Sequence, residues 1–353
     1  MRRNRRIKLV KSNFVRKIQM LCITTTIFAY WKINLMISQL DAMILRELLY
    51  DGRKSSAEIA KELRTTKDVV WKRCKDMEKN QIITGATIQF NYPCFGYESI
   101  ATVCLNVTSD YLNTVLGNLR RIPDVSAWQI YGSAFNIMVI TLFRSLKELD
   151  NIKSMLKTNP VNAVKTYLWT DVRNTPENLT FGFPPEKLNK IKVMKIKKER
   201  ALKIDTVDYQ LIEQLNMDGR MPFRKVGEII GASTDTVSRR YSKLLRNGYI
   251  KTIVQVNPIA VGYQGIVTFF LSIVSKENIE KAIDEIGRIP NVSYITKLSG
   301  DHELQFAFLF RHFDELIGIN KKILLLPGIE KIDTTFREAP PFWPGPKQFI
   351  TTF

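Results

Sequence analysis

The sequence predicts an α+β protein made of two tandem units, each a small helical domain with a β wing followed by a four-stranded α/β sandwich. Three observations lead there. First, the chain repeats itself in order. Asp51-Gly52-Arg53 returns as Asp218-Gly219-Arg220, and Asn80-Gln81-Ile82-Ile83 returns as Asn247-Gly248-Tyr249-Ile250. Gly96-Tyr97 and Arg121-Ile122-Pro123 return as Gly262-Tyr263 and Arg288-Ile289-Pro290. The offset is 167 residues at the start of each unit (51 to 218, 80 to 247) and drifts by one later, as short loop insertions produce. Two copies at so long a period indicate duplicated domains rather than a solenoid. Second, the front of each copy carries apolar residues at helical spacing behind capping residues. Third, the back of each copy follows the order β-α-β-β-α-β.

In the first copy, Leu40, Ile44, Leu45, Leu48 and Leu49 share a helix face. Asp51-Gly52-Arg53 ends that helix, with Gly52 expected to supply the reversal. Ser55 or Ser56 caps the next helix, which turns Ile59, Ala60 and Leu63 inward. Thr66 caps a third, with Val69, Val70, Cys74 and Met77 expected in the core and Asn80 at its end. Ile82–Phe90 reads as a short β wing, completing a winged helix-turn-helix. The second copy repeats the scheme. Val207, Leu211, Ile212 and Leu215 mark helix one, and Val226, Ile229 and Ile230 helix two. Ser233 caps helix three, which carries Val237, Tyr241, Leu244 and Leu245, and Tyr249–Val256 is the wing.

The sandwiches follow. In copy one, Ile100–Val107 is β-rich, and Leu112, Val115, Leu116 and Leu119 are helically spaced. Val125–Tyr131 and Phe135–Phe143 are strands around a Gly132 turn, Leu146–Leu156 is helical, and Val164–Thr170 is the last strand. Copy two gives Ile266–Val274, Ile279–Ile286, Val292–Leu298, Leu304–Phe310, Phe313–Leu325 and Ile329–Phe336. This is the split βαβ, ferredoxin-like order. The expected organisation is a basic extension (1–37), winged domain one (38–90), sandwich one (91–172), a basic linker (173–203), winged domain two (204–257), sandwich two (258–340) and a tail (341–353).

Charge narrows the function classes. With 53 Lys+Arg against 34 Asp+Glu, the net charge is +19, which points to a polyanionic partner. The four cysteines form no CxxC pair, and only two histidines are present, so neither a disulfide framework nor a zinc site is expected and a reducing, cytoplasmic setting is the default. No cofactor is expected either: there is no Walker loop and no GxSxG elbow. The apolar run 18–31 follows basic residues, but no small-residue cleavage site follows it. Lys32 interrupts it short of the ~20 residues a membrane helix needs. It reads as a poorly ordered basic extension, or as an over-long start with Met36 as the true beginning.

The phrase Ile204-Asp205-Thr206-Val207-Asp208…Leu215-Asn216-Met217-Asp218-Gly219-Arg220, with Ser233–Arg240 and Asn247-Gly248-Tyr249-Ile250, resembles the Lrp/AsnC family of leucine-responsive, feast-famine regulators. The likeness covers about 38–172 and 203–340 and is sharper in the second winged domain. It implies dimers built through the sandwich sheets, amino-acid effectors bound between sandwiches, and DNA bent across symmetric sites. Both units in one chain depart from that pattern and imply an intramolecular pseudo-dimer, with further homo-oligomers open to it.

A recognition helix reads base edges with the residues of its first turns. In copy two these are Thr234, Asp235, Ser238 and Arg239; in copy one, Lys67, Asp68, Trp71 and Lys72. Their chemistry differs, so the half-sites of the double-stranded DNA are expected to differ. Arg73 and Arg240 hold equivalent positions and are candidates for phosphate contact, as are Lys251, Arg53, Lys54, Lys79, Arg220, Arg224, Lys225 and Arg246. The resemblance places the effector region at Gly300-Asp301-His302-Glu303, whereas the matching Gly132-Ser133-Ala134-Phe135-Asn136 has no carboxylate. A competing class is an enzyme: siroheme decarboxylases are similar in domain order, but they use histidines that this chain largely lacks. A sensor without DNA binding is a third, against which the basic third helices argue.

Overall fold

The computed structural model describes residues 37–120, 122, 125–156, 160–175, 178–190 and 203–345. The apolar run 18–31 and the basic run 195–200 lie outside the described residues. Among the described residues no helix is long and apolar enough to cross a membrane.

Each unit opens with three helices. In unit one these are α1 (Gln39–Tyr50), α2 (Ser56–Leu63) and α3 (Lys67–Lys79). Ser38 and Ser55 form reciprocal capping boxes with Asp41 and Glu58, and Thr66 accepts the Val69 N–H at the start of α3. Val70, Cys74 and Met77 are buried along one face of α3. Val69, expected inside, is 39% exposed because it falls one position off that stripe.

β1 (Ile83–Phe90) is a single strand. Sandwich one follows as β2 (Ser99–Val107), α4 (Leu112–Leu119), β3 (Val125–Gln129), β4 (Ile137–Phe143), α5 (Leu146–Leu156) and β5 (Val161–Asn174). Unit two repeats the plan: α6 (Thr206–Met217), α7 (Phe223–Ile230), α8 (Thr234–Arg246), β6 (Ile250–Val256), β7 (Gly265–Ile273), α9 (Lys276–Gly287), β8 (Val292–Ser299), β9 (Leu304–Phe310), α10 (Phe313–Leu324) and β10 (Ile329–Glu338).

The wings differ from the expectation. Neither wing is a β hairpin within its own unit. Instead β1 pairs antiparallel with β6 of the other unit, from Ile83↔Val256 to Phe90↔Ile250. A lone strand leaves its backbone groups unpaired, and the duplicate strand satisfies them. The helical layers cross over as well. α1 packs on β6 and α6 on β1. Ile88 of unit one is buried among Leu211, Leu215 and Val237 of unit two.

The two sandwiches also merge. Their strands form one sheet in the order β10-β7-β9-β8-β5-β2-β4-β3. The seam is β5 against β8, from Leu168↔Ser299 to Asn174↔Tyr294. β5 therefore outruns the expected Val164–Thr170, because β8 gives its far end a partner. The outer edges meet again at Tyr131, whose N–H and carbonyl bond to Phe336 at 2.8 and 2.9 Å. The sheet thus curls until the two halves face each other. Tyr167, Trp169, Phe270 and Leu298 pack between them. Separate outer cores sit under α4 and α5 (Val103, Leu105, Leu116) and under α9 and α10 (Phe269, Ile283, Phe306).

The connection between the units is packed where it is described. Leu179 and Phe181 are buried. Tyr263 Oη accepts the Phe181 N–H at 3.0 Å, and Arg46 Nη1 donates to the Asn189 carbonyl at 2.7 Å.

Candidate nucleic-acid interface

The two helical heads are held in one frame by the duplicated Asp-Gly-Arg loops. The Gly52 N–H donates to the Thr252 carbonyl at 2.7 Å, and the Gly219 N–H to the Ala86 carbonyl at 2.9 Å. Each loop thereby binds the other unit's strand. A Cβ at Gly52 would lie 2.7 Å from the Ile253 backbone, and one at Gly219 would lie 2.7 Å from the Thr87 carbonyl oxygen. Close approach is what these glycines provide. Gly52 supplies no left-handed reversal: it is not among the positive-φ residues, and α1 ends at an extended Asp51.

The arginines of the same loops complete the frame. Arg53 Nη2 donates to the Met221 carbonyl at 2.8 Å, and its guanidinium lies over the Phe223 and Tyr241 rings at 4.3 and 5.0 Å. Burial holds this guanidinium below its ordinary pKa. Arg220 Nε donates to the Gly52 carbonyl at 2.6 Å and faces Glu78 at 3.7 Å. Lys54 pairs with the buried Glu47 at 2.6 Å, and Lys251 lies 4.4 Å above the Tyr50 ring. Arg53, Arg220 and Lys251 hold one head to the other, and Lys54 ties its loop to α1 of its own head.

Arg240 and Arg73 show a second repeated device. Arg240 Nη1 bonds Asp205 and Asp208 at 2.7 and 3.0 Å, and Arg73 sits 3.6 Å from Asp41. Each ties a third helix to the start of its own first helix. The Arg240 hydrogen bond holds the Asp205 carboxyl below its ordinary pKa, and the bonds to Asp205 and Asp208 raise Arg240.

The remaining sites expected to read DNA lie on free helix faces. Lys67, Asp68, Trp71 and Lys72 are exposed on α3, Trp71 by 56%. On α8, Thr234, Asp235 and Arg239 are exposed and Ser238 is half-buried, while Val237, Tyr241 and Leu244 turn inward. Among the described residues, no carboxylate pairs with Lys67, Lys72 or Arg239. Arg224 pairs along its helix with Glu228 at 3.6 Å, Arg246 Nε donates to the Ser242 carbonyl, and Lys79 and Lys225 are exposed.

The family models fit these heads. A model described as an AsnC-type helix-turn-helix domain matches residues 204–245, and one described as winged helix-turn-helix DNA-binding matches 37–84. An uncharacterized HTH-type transcriptional regulator of Pyrococcus furiosus is 30% identical over 140 residues, covering 95% of that protein and 39% of this chain. The chain belongs to the Lrp/AsnC family. Another relative, the HTH-type transcriptional regulator FL11 of Pyrococcus furiosus, is 26% identical over 132 residues, covering 87% of its length and 37% of this chain. Each such Lrp/AsnC relative corresponds to about one unit. The tandem arrangement has its own counterpart: the crystal structure of the siroheme decarboxylase NirDL superposes with a TM-score of 0.59 at 15% identity, covering 90% of this chain and 94% of that one. That likeness is one of fold.

In this Lrp/AsnC chain the loop Gly300–Glu303 is occupied by its own protein. Asp301 pairs with Lys165 of unit one. Partial burial works to raise the Asp301 carboxyl, but Lys165 and His302 outweigh it and leave the pKa low. His302 is buried, with Nδ1 3.2 Å from the Tyr167 hydroxyl and Nε2 3.0 Å from Asp333. Glu303 accepts the Ile273 N–H at 2.8 Å. A Cβ on Gly300 would lie 3.0 Å from the Tyr167 ring. In the matching loop, Gly132 does take the left-handed conformation (φ +79) and packs against Phe336. Among the described residues no cluster of His, Cys, Asp and Glu is arranged to hold a metal.

Sequence reasoning missed the cross-unit role of Arg53 and Arg220. The repetition of Asp-Gly-Arg was visible, but nothing in one copy names its partner in the other.

Proposed function

We propose that this chain is a sequence-specific, double-stranded-DNA-binding transcriptional regulator that acts as an intramolecular pseudo-dimer, not as an enzyme. One observation carries the reading. Lys67 and Lys72 on α3 and Arg239 on α8 are exposed cations without carboxylate partners, on two heads locked into one frame by β1 and β6. Phosphate or base edges would complete them. Arg239 suits guanine, whose O6 and N7 a guanidinium can bond together. Lys67, Lys72 and Trp71 of the other head form a different reading set, so the preferred operator is an imperfect palindrome. Arg73 and Arg240 orient the third helices, and Lys251, held over Tyr50, supports the strand pair.

An amino-acid effector at Gly300–Glu303 would have to displace Lys165 from Asp301 and the Ile273 N–H from Glu303. The test of the main reading is selection of duplexes from a random pool by the full chain, followed by footprinting. Two unequal protected half-sites, centred about 34 Å apart or a multiple of it, are expected. Indifference to sequence at every salt concentration would sink it. The fold shared with NirDL supports a second reading, a tetrapyrrole enzyme. Absorption in the Soret region after incubation with siroheme, and loss of carboxylate from it, would favour that reading.

A further inference from the structure

A cavity of about 400 Å³ lies between the facing halves of the curled sheet, lined by no residue of a third helix and none of the Gly300–Glu303 loop. Strands of both units line it, and the segment after β10 covers it. Five aromatic side chains line it among smaller apolar and polar residues. Trp169 stacks on Tyr294 with ring centroids 5.8 Å apart, and Trp128 and Trp343 add two more indoles. Trp343 is fixed by a backbone pair with Val256, at 2.7 and 2.8 Å. A volume of this size falls near the lower end of the range for small-molecule sites.

The less exposed of the two cations in this wall is Arg337. Thr335 and Arg337 share the face of β10 opposite Phe336, which packs with the outer core. Arg337 therefore points at the facing sheet. Its guanidinium lies 4.7 Å from the centroid of the Trp128 ring. Among the described residues, no carboxylate pairs with it and no side-chain hydrogen bond holds it. Arg337 is half-buried and lines the cavity. Burial lowers its pKa to about 10, so it is still charged at neutral pH. A half-buried cation without a counter-ion is partly stripped of water, and a bound anion would offset that cost.

We infer that this cavity binds a small aromatic carboxylic acid, with its carboxylate on Arg337 and its ring between the Trp128 and Trp169–Tyr294 walls. The choice follows from what the wall offers. No Asp or Glu lines the cavity, so the ammonium of an amino acid would find no partner. The wall comes mainly from strands, whose N–H groups are spent on the sheet ladder except along the outer edges of β3 and β10, and no helix N-terminus faces it, so it offers few of the converging donors that a phosphate group needs. A second cation, Arg120, stands in the wall but is exposed, with Nε donating to the Ala127 carbonyl at 3.3 Å. One fork-shaped donor among flat apolar surfaces suits one carboxylate on a flat body. The inference does not rest on the DNA reading, since binding is measured without DNA.

The test is calorimetric titration of the full chain with three probes of one shape: 3-phenylpropionate, 3-phenylpropylamine and L-phenylalanine. One equivalent of the acid is expected to bind, with the amine silent and the amino acid at least tenfold weaker. Arg337→Met should weaken the acid about tenfold to a hundredfold, the loss expected for a charge-assisted hydrogen bond. Arg337→Lys should restore part of it, and Glu277→Gln, on the outer helix α9, should leave it unchanged. Equal binding of acid and amine, competition by inorganic phosphate at matched concentration, or no heat with the acid would overturn the inference. So would full affinity in Arg337→Met. If that variant does not fold, the comparison of the three probes on the native chain decides alone.

Discussion

Gly52 donates its backbone N–H to the carbonyl of Thr252, two residues that stand 200 positions apart in the chain and in different units. Gly219 and Ala86 repeat the bond in the opposite direction. Because both glycines face backbone at 2.7 Å, a methyl group at either cannot be absorbed by a side-chain rotation. Gly52→Ala and Gly219→Ala should each destabilise the chain by about 1–3 kcal/mol, the usual cost of overpacking. Urea titration followed by circular dichroism measures it. Similar costs at the two sites are expected, since the contacts are equivalent. A neutral effect at either would mean that the heads are not locked through β1 and β6.

The basic residues of the heads should separate into two sets by salt dependence. Lys225→Ala, at an exposed phosphate candidate on α7, should lower affinity for all duplexes alike and reduce the magnitude of the salt slope by about 0.9. Arg220→Ala should leave the slope unchanged and instead lower stability, because its guanidinium bonds Gly52 and faces Glu78. Arg239→Ala should reduce discrimination between specific and random DNA by about 1–3 kcal/mol. Fluorescence anisotropy across a series of salt concentrations reads all three. An Arg220→Ala slope reduced as much as that of Lys225→Ala would return Arg220 to the phosphate-contacting set.

A buried polar chain also joins the sandwiches. Trp169 Nε1 donates to Thr102 Oγ1 at 2.8 Å, Thr102 Oγ1 to Gln305 Oε1 at 3.1 Å, and Gln305 Nε2 to the Tyr294 hydroxyl at 2.8 Å. Thr102 and Gln305 are both fully buried. Thr102→Val keeps the shape but strands the Trp169 indole N–H and the Gln305 carbonyl. A loss of about 1–3 kcal/mol is expected from the unpaired groups. A urea midpoint equal to the native one would show that water or relaxation replaces the bonds.

Much of this architecture was legible in the chain. The caps at Ser55, Thr66 and Ser233 and the order of the sandwich strands are local signals, and local signals survive in a sequence. The pairing of β1 with β6 was not legible as such. A lone apolar strand looks the same whether its partner follows in a hairpin or arrives from a distant copy. The roles of Arg53 and Arg337 were hidden for the same reason: an arginine's spacing does not reveal whether it meets solvent, phosphate or an internal wall.

The Arg240–Asp205–Asp208 cluster makes the acid side of stability testable. The Asp205 carboxyl is depressed in the folded chain, first by its hydrogen bond from Arg240. A depressed carboxylate stabilises the fold above its unfolded value, near 4, and that contribution fades as the pH falls through the lower folded value. Arg240→Met removes the partner. The native chain should therefore melt higher than the variant at pH 5 to 7. The difference should shrink progressively below about pH 4 as Asp205 takes up its proton in both. Thermal melts at matched ionic strength measure this. A gap that stayed constant down to pH 2 would assign the effect of Arg240 to packing of its stem rather than to its charge.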